Sequence, residues 1–168
     1  MSQAETHLRQ ITDQLNVSPE RFAGRREFLR RATFAFGDQV PTIRKPDLTI
    51  SLVFTSRFKG HGALDQSMIN GKSYPDSAPL LLHEGLRHRL GFDNRSMDDH
   101  PIHLHRHSFE LVSIRGAALS GVHKDVVIVE AGTKVEADLL ATNPGNTLFH
   151  CHQQDHMDAG FMALFRYA

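Results

Sequence analysis

The sequence predicts an all-β domain, built as an antiparallel sandwich or Greek-key barrel, with a short helical extension at its N-terminus. From Asp47 onward, short runs of alternating or β-branched residues recur at regular spacing. Clusters of Gly, Asn and Pro separate these runs, a pattern typical of sandwiches and barrels. The first forty residues show helical spacing instead. We therefore divide the chain into a helical extension, 1–40, and a β domain, 41–168.

The predicted strands follow one another with turn signals between them. Residues 48–54 begin the series, and Asn70-Gly71 is a strong signal for a tight hairpin turn within residues 67–74. Further turns are marked by glycine-containing clusters at 115–116, 131–132 and 143–145. The remaining strand candidates are 80–82, 86–92, 108–114, 125–129, 134–140, 147–152 and 161–167.

Two helices are predicted in the extension. Leu8, Ile11 and Leu15 recur at helical spacing, and Ser18 begins a second helix as its N-cap, with Pro and Glu in the first turn. The arginine-rich residues 25–30 match the twin-arginine export pattern, but a long apolar stretch and a cleavage site do not follow. This segment has three possible interpretations: a solvated helix face, an export signal or a partner-binding patch.

Composition narrows the classes of function. The chain has 168 residues, 40% of them hydrophobic and 23% charged, with 19 basic and 19 acidic side chains. This charge balance gives no net field toward nucleic acid or anionic lipid, so we expect no nucleic-acid partner. No run of 18 apolar residues occurs, so we expect no membrane partner either. A single cysteine excludes an internal disulfide.

Seven of the twelve histidines fall into two tight groups. The first group lies in 100–107, as His-Pro-Ile-His-Leu-His-Arg-His, and the second in 150–156, as His-Cys-His-Gln-Gln-Asp-His. Residues i and i+2 of a strand project from the same face, and residue i+1 projects from the other. The two His-x-His pairs, 103/105 and 150/152, therefore predict four imidazoles at one location. Cys151 points to the opposite side.

Cys151 needs ligands or neighbours of its own on that side. His156 follows it across a turn, and His100 precedes the first His-x-His pair. A thiolate with two imidazoles is the trigonal ligand set of electron-transfer copper sites. Zinc, which also binds Cys and His, a buried hydrophobic role and a nucleophilic role are the alternatives. Electrons could pass from Cys151 through the backbone to His150 and His152, which makes these three residues the predicted electron path.

These residues carry a resemblance to a known family. His-Pro-x-His-Leu-His, followed by His-Cys-His-x-x-x-His-x-x-x-Gly, resembles the two C-terminal copper motifs of the multicopper oxidases, that is, laccases and their bacterial relatives. Residues 69–72, 94–100 and 143–150 extend the similarity, which covers roughly residues 47–168. The resemblance implies a C-terminal, plastocyanin-like cupredoxin domain with copper as its cofactor.

The resemblance also implies a ligand set. Phe161 occupies the axial position of the type 1 copper, where a phenyl ring cannot coordinate, so we expect a three-coordinate copper with a raised potential. Arg106 stands where the family typically has Gly, which removes a conformationally permissive residue next to the cluster. The implied ligands are His100, Cys151 and His156 for type 1 copper, His103 for type 2 copper, and His105, His150 and His152 for the type 3 pair.

Other polar residues near the motifs have ordinary interpretations as well. Asp98 or Asp99 is a candidate to accept a proton or to bind a cationic substrate, and a solvated turn carboxylate is the alternative. The remaining histidines are expected to be ordinary surface or core residues. They are His7, His61, His83, His88, His107 and His123.

Half of the ligands for a trinuclear cluster are missing from the sequence. The family uses eight histidines from four His-x-His motifs, and this chain has two of those motifs. We expect the chain to act with an N-terminal oxidase domain, taking electrons from a small reducing substrate and passing them to dioxygen. A stand-alone electron carrier and a homo-oligomer pooling its histidines are the alternatives. Family resemblance favours a periplasmic or extracellular site, although the chain shows no complete signal.

Overall fold

The structure is a computed structural model that describes residues 44–61 and 64–168, and these residues form two β-sheets. The predicted all-β class is confirmed. The predicted helical extension, 1–40, lies outside the described residues, and its boundary stays a prediction. The strands are β1 Leu48–Arg57, β2 Gln66–Ile69, β3 Leu80–Leu82, β4 Arg87–Asn94, β5 His100–Leu104, β6 Phe109–Ile114, β7 Ala117–Lys124, β8 Val126–Val129, β9 Lys134–Leu140, β10 Thr147–Cys151 and β11 Met162–Tyr167, with the helix α1 Gln154–Asp158 before the last.

The two sheets share one core. Six strands form the first sheet in the order β2-β1-β4-β9-β6-β7, and five form the second in the order β3-β11-β10-β5-β8. Buried and partly exposed residues alternate strictly along β4, as expected for a strand with one face on the core. Burial of large aromatic side chains dominates this core. Its fully buried phenylalanines are Phe54, Phe92, Phe109, Phe149, Phe161 and Phe165.

The hairpin signal at Asn70-Gly71 marks a tight turn that is hydrogen-bonded to strand β1. Both residues have positive φ, 53° and 76°, as a two-residue hairpin turn requires. The strand after this turn is reduced to a single bridge between Ile69 and Lys72. The Asn70 side chain accepts a hydrogen bond from the backbone N–H of Val53 at 2.8 Å and donates to the carbonyl of Ser51 at 3.0 Å. The turn is therefore tied to β1.

One strand of the first sheet was not predicted from the sequence. β7 pairs only with β6, at the edge of the first sheet, and its residues are exposed or partly exposed. The partly buried residues of β7 that pack on the core, Leu119 and Val122, are three positions apart, so the sequence shows no two-residue alternation of apolar and polar side chains. The pairing with β6 shifts register between Leu111 and Ser113, which adds a local irregularity. Among the described residues, no helix is long and apolar enough to cross a membrane.

Candidate metal centre

The two histidine groups lie on neighbouring central strands of the five-stranded sheet. β5 and β10 pair antiparallel, with His103 opposite His150 and Ile102 opposite Cys151. β10 is the middle strand of this sheet, so its end is held on both sides by β5 and β11. The short helix α1 then turns the chain back and brings His156 toward Cys151. The sheet thus places both groups at one end of the domain.

His100, Cys151 and His156 converge on one point. One ligand atom from each residue lies within 4.8 Å of the other two. Nδ1 of His100 is 3.1 Å from Nδ1 of His156, which in turn is 3.5 Å from Sγ of Cys151. Cys151 is fully buried, His100 is 2% exposed and the His156 side chain is 17% exposed. This set is the one group of three close potential ligands among the described residues.

The donor set fits copper. A soft thiolate with two imidazoles in a trigonal arrangement suits an electron-transfer copper ion, whose properties also depend on the apolar surroundings. Burial raises the pKa of the Cys151 thiol, and burial together with the nearby His156 lowers the pKa of His100 to about 4. Both groups are therefore uncharged before a cation binds. Binding of the cation releases the thiol proton, as metal binding to cysteine requires.

The ligand atoms are oriented by contacts on their outer sides. Nε2 of His100 is 2.8 Å from the hydroxyl of Ser96, so its Nδ1 faces the site. Nε2 of His156 faces the Asp98 carboxylate at 4.0 Å. The backbone N–H of Gln153 donates to Sγ of Cys151 at 3.5 Å. Such outer contacts fix tautomer and ring orientation in metal sites.

Phe161 forms an apolar wall of the site. It is fully buried, and its ring stacks on His100 with centroids 4.4 Å apart. It also packs edge-on against Phe54 at 4.9 Å. The preceding Gly160 has φ +96°, and a Cβ there would lie 2.7 Å from Cβ of Ser73. Glycine is thus required at position 160 to bring the Phe161 ring against His100.

Four imidazoles gather on the other side of β10. Ring centroids of His103 and His105 are 4.9 Å apart, and those of His150 and His152 are 5.2 Å apart. Across the strands, Nε2 of His105 and Nε2 of His150 face each other at 2.9 Å. Burial lowers the pKa of His150, which keeps its ring neutral and able to bind a metal ion. The predicted convergence of the four rings is present.

Hydrogen bonds to backbone carbonyls select the free nitrogen of two of these rings. Nδ1 of His103 is 2.7 Å from the carbonyl oxygen of Asp125, and Nδ1 of His150 is 2.8 Å from that of Cys151. Each Nδ1 donates its hydrogen there, so each Nε2 keeps a lone pair. Imidazoles held in this way are ready to act as ligands through Nε2.

Two of the four histidines lie one residue beyond their strands. β5 ends at Leu104 and β10 at Cys151, so His105 and His152 do not belong to the regular strands assumed in the prediction. The sheet hydrogen bonding nevertheless continues, because the N–H of His105 donates to Leu148 at 2.9 Å and that of His152 to Pro101 at 2.7 Å. These bonds keep the rings beside those of the strand histidines.

Arg106, which stands where the resembled family typically has Gly, has a backbone conformation that favours Gly. Its φ is +62°, in the left-handed region that Gly occupies without strain. Its guanidinium donates to Oδ1 of Asn143 at 2.6 Å and to the carbonyl of Pro144 at 3.0 Å. Asn143 donates in return to the carbonyl of Arg106 at 3.0 Å. Arg106 therefore keeps the turn conformation and fastens it to the loop before β10.

Residues that are not proposed ligands also shape this region, and the sequence pattern did not assign their contacts. His107, predicted not to be a ligand, is buried and bonds the carbonyl of His105 at 2.9 Å and the hydroxyl of Tyr167 at 2.8 Å. Ser96 and Asn94 lie inside the recognised motif 94–100, but nothing in the residue pattern assigned them a contact. Of the two candidate carboxylates, Asp99 accepts the backbone N–H of Ala131 at 2.8 Å.

Comparison with known proteins identifies the group to which the chain is related. A family model described as multicopper oxidase matches residues 44–168. The chain belongs to the multicopper oxidase family. Copper is therefore the cofactor that family membership implies for this domain, in agreement with the donor set of Cys151.

Individual relatives and solved structures agree with this membership. Multicopper oxidase MmcO of Mycobacterium tuberculosis is 42% identical over 99 residues, covering 59% of this chain and 19% of that protein. Copper resistance protein A of Escherichia coli is 36% identical over 120 residues, covering 71% of this chain and 19% of that protein. The blue copper oxidase of Nitrosomonas europaea shares the fold, with a TM-score of 0.64 at 23% identity over 71% of this chain and 43% of that chain.

The matching segments belong to relatives that are much longer than this chain. The chain spans about a fifth of the length of the two curated relatives named above. Its described part is a multicopper oxidase-like cupredoxin domain, so the predicted fold and family are confirmed.

Proposed function

We propose that this domain accepts single electrons from a small reducing substrate at the Cys151 site. It then passes them to the histidine face, where a trinuclear copper site completed by further ligands would use four electrons and four protons to reduce one dioxygen molecule to two water molecules. The supporting observation is that Cys151 and its two histidine neighbours serve opposite sides of one strand end. The proposed ligands are His100, Cys151 and His156 for type 1 copper, His103 for type 2 copper, and His105, His150 and His152 for the type 3 pair.

Bound copper supplies reversible one-electron oxidation and reduction. The chain supplies the connection between the two sites. Cys151 is covalently joined through its backbone to both His150 and His152, and Nδ1 of His150 also hydrogen-bonds the Cys151 carbonyl at 2.8 Å. The proposed electron path therefore reaches each histidine through covalent bonds, and it reaches His150 by an additional, shorter route through a hydrogen bond.

Electrons enter most directly at His156. Its side chain is 17% exposed, whereas His100 and Cys151 are almost or fully buried. A reducing substrate can therefore approach the edge of the His156 ring without entering the core. The Asp98 carboxylate beside this edge is 59% exposed and 4.0 Å from Nε2. It is the better candidate of the two aspartates for accepting a proton or attracting a cationic substrate, since Asp99 is engaged with Ala131.

The histidine face needs ligands from outside the described residues. The family resemblance implies eight histidines for a trinuclear cluster, and the face supplies four of them. We propose that an N-terminal oxidase domain provides the remaining histidines, and the much greater length of the relatives supports this partner. A second copy of this chain, related by a twofold axis, is the other candidate, because it would bring the same four histidines to the face. By family resemblance we place the protein in the periplasm or outside the cell.

Metal content measured together with assembly mass tests this proposal. We expect one tightly bound copper with intense blue absorption in the domain alone, and oxygen uptake only in an assembly with four coppers per unit. Native mass then distinguishes a second copy from a different partner. A domain that binds one copper, shows no oxygen uptake in any assembly and exchanges electrons rapidly would be a stand-alone electron carrier. Absence of the blue absorption from copper-loaded protein would overturn the assignment of Cys151.

A further inference from the structure

We propose that the Ser96 hydroxyl is a positioning residue for the copper site: held by Asn94, it fixes the His100 ring in the tautomer whose Nδ1 faces Cys151. This inference rests on the proposed function, because it assumes that His100 is a copper ligand. Oγ of Ser96 is 2.8 Å from Nε2 of His100, and both residues are buried, at 5% and 2% exposure. Ser96 is thus in direct contact with the nitrogen that faces away from the site.

Asn94 holds Ser96 from two directions. Its side-chain oxygen accepts hydrogen bonds from the backbone N–H of Ser96 at 3.0 Å and from the Ser96 hydroxyl at 2.8 Å. Its amide group donates to the carbonyls of Asp98 at 2.8 Å and Val129 at 2.9 Å. Every donor and acceptor position commonly used by an Asn side chain is therefore occupied. Asn94 connects the end of β4, the loop before His100 and the end of β8.

The single hydrogen of the Ser96 hydroxyl determines which group donates in the hydrogen bond between Ser96 and His100. A serine hydroxyl has one hydrogen to donate and two lone pairs to accept with. Two oxygens that can only accept lie near this hydroxyl, Oδ1 of Asn94 at 2.8 Å and the carbonyl oxygen of Asp98 at 3.2 Å. The hydrogen points to this pair, because buried oxygens so close together repel each other without one. Ser96 therefore accepts from His100. Nε2 of His100 carries the ring hydrogen, and Nδ1 keeps the lone pair that a metal ion needs.

Ser96 supplies the hydrogen-bond acceptor for Nε2 of His100, and the phenyl rings beside this histidine supply none. The His100 ring stacks on Phe161 and makes an edge contact with Phe54, at centroid distances of 4.4 and 5.9 Å, and neither phenyl ring offers an acceptor in its plane. His156, in contrast, is partly exposed and faces a carboxylate. Loss of the Ser96 hydroxyl thus leaves a buried N–H without an acceptor and frees the ring to change tautomer or to rotate.

Ser96→Ala with Ser96→Thr as rescue tests the proposal. Removal of outer hydrogen-bond partners of metal-binding histidines typically weakens metal binding about 10- to 100-fold. We expect a loss of this size in copper affinity for Ser96→Ala, with altered copper hyperfine splitting in the EPR spectrum and near-normal values for Ser96→Thr. Ser113→Ala is the matched control, since it removes a hydroxyl that bonds Glu136 on the other sheet. Unchanged affinity and spectrum in folded Ser96→Ala overturn the proposal.

A second measurement needs no variant. Nitrogen NMR of the metal-free wild-type protein reports which ring nitrogen of His100 carries the hydrogen, and we expect Nε2. A hydrogen on Nδ1 overturns the proposal even if Ser96→Ala does not fold. A purely structural role for Ser96 predicts a lower melting temperature with an unchanged tautomer and spectrum. Absence of blue absorption in the copper-loaded wild-type protein would instead indicate that the proposed function itself has failed.

Discussion

Phe161→Met places a thioether where the apolar wall of the proposed type 1 site stands. A weak axial sulfur ligand stabilises the oxidised copper ion relative to the reduced one, so the reduction potential should fall. The same change removes two aromatic contacts, the stack on His100 at 4.4 Å and the edge contact with Phe54 at 4.9 Å. At about 0.5–1.5 kcal/mol for each contact, the fold should lose about 1–3 kcal/mol of stability. This corresponds to a melting temperature lower by about 2–12 °C.

Potentiometric titration of the blue absorption measures the first effect, and thermal unfolding of the metal-free protein measures the second. Phe165→Met is a matched control: Phe165 is equally buried and packs on Phe149 at 5.7 Å, but it does not contact His100. This control should lose stability and keep the wild-type potential. A potential that is unchanged or higher in Phe161→Met, while the protein is folded and blue, would refute the expectation that a side chain at position 161 can reach the copper ion.

Four further predictions concern different parts of the domain. Cys151→Ser should abolish the blue absorption of the copper-loaded protein, and a persistent band would exclude the thiolate ligand. Asp98→Asn should lower kcat/KM for cationic reductants up to about fivefold in the assembled oxidase. Asp99→Asn makes the same charge change at a carboxylate that is hydrogen-bonded to the backbone, and it should leave kcat/KM unchanged. Burial lowers the pKa of His88 below its ordinary value, so the free energy of unfolding in urea should decline as the pH falls below about 6.5. His88→Gln should make this decline shallower, and the part that remains should come from the buried His100 and His150. Arg106→Ala loses the hydrogen bonds to the loop before β10 and keeps the strained turn, so it should lower the free energy of unfolding by about 1–2 kcal/mol, more than Arg106→Gly. Equal stability of the wild type and both variants would contradict the stabilising role of these hydrogen bonds.

The sequence was most informative where local geometry decides the structure. The two-residue period of a strand correctly separated Cys151 from His150 and His152, because β10 continues through Cys151 and its hydrogen bonding extends to the next residue. The Asn70-Gly71 turn could be predicted because it depends on two adjacent residues with positive φ.

Features that depend on contacts between distant segments were not predictable in the same way. β7 lies at a sheet edge and shows no two-residue burial pattern, because its two core-packing residues are three positions apart, and its existence follows from its pairing with β6. The contact of His100 with Ser96 depends on the conformation of a loop that Asn94 holds from the ends of two other strands. The bond from Arg106 to Asn143 spans 37 residues. None of these contacts follows a spacing rule.

On the proposed function, the difference between the two metal sites has a consequence for maturation. The thiolate site has all its protein donors within one domain, whereas the histidine face takes its remaining donors from elsewhere. A newly folded domain can therefore store one electron before it meets its partner, but it has no cluster on which to reduce dioxygen. Unassembled copies therefore cannot carry out the four-electron reduction of dioxygen to water, and this chemistry begins only after docking.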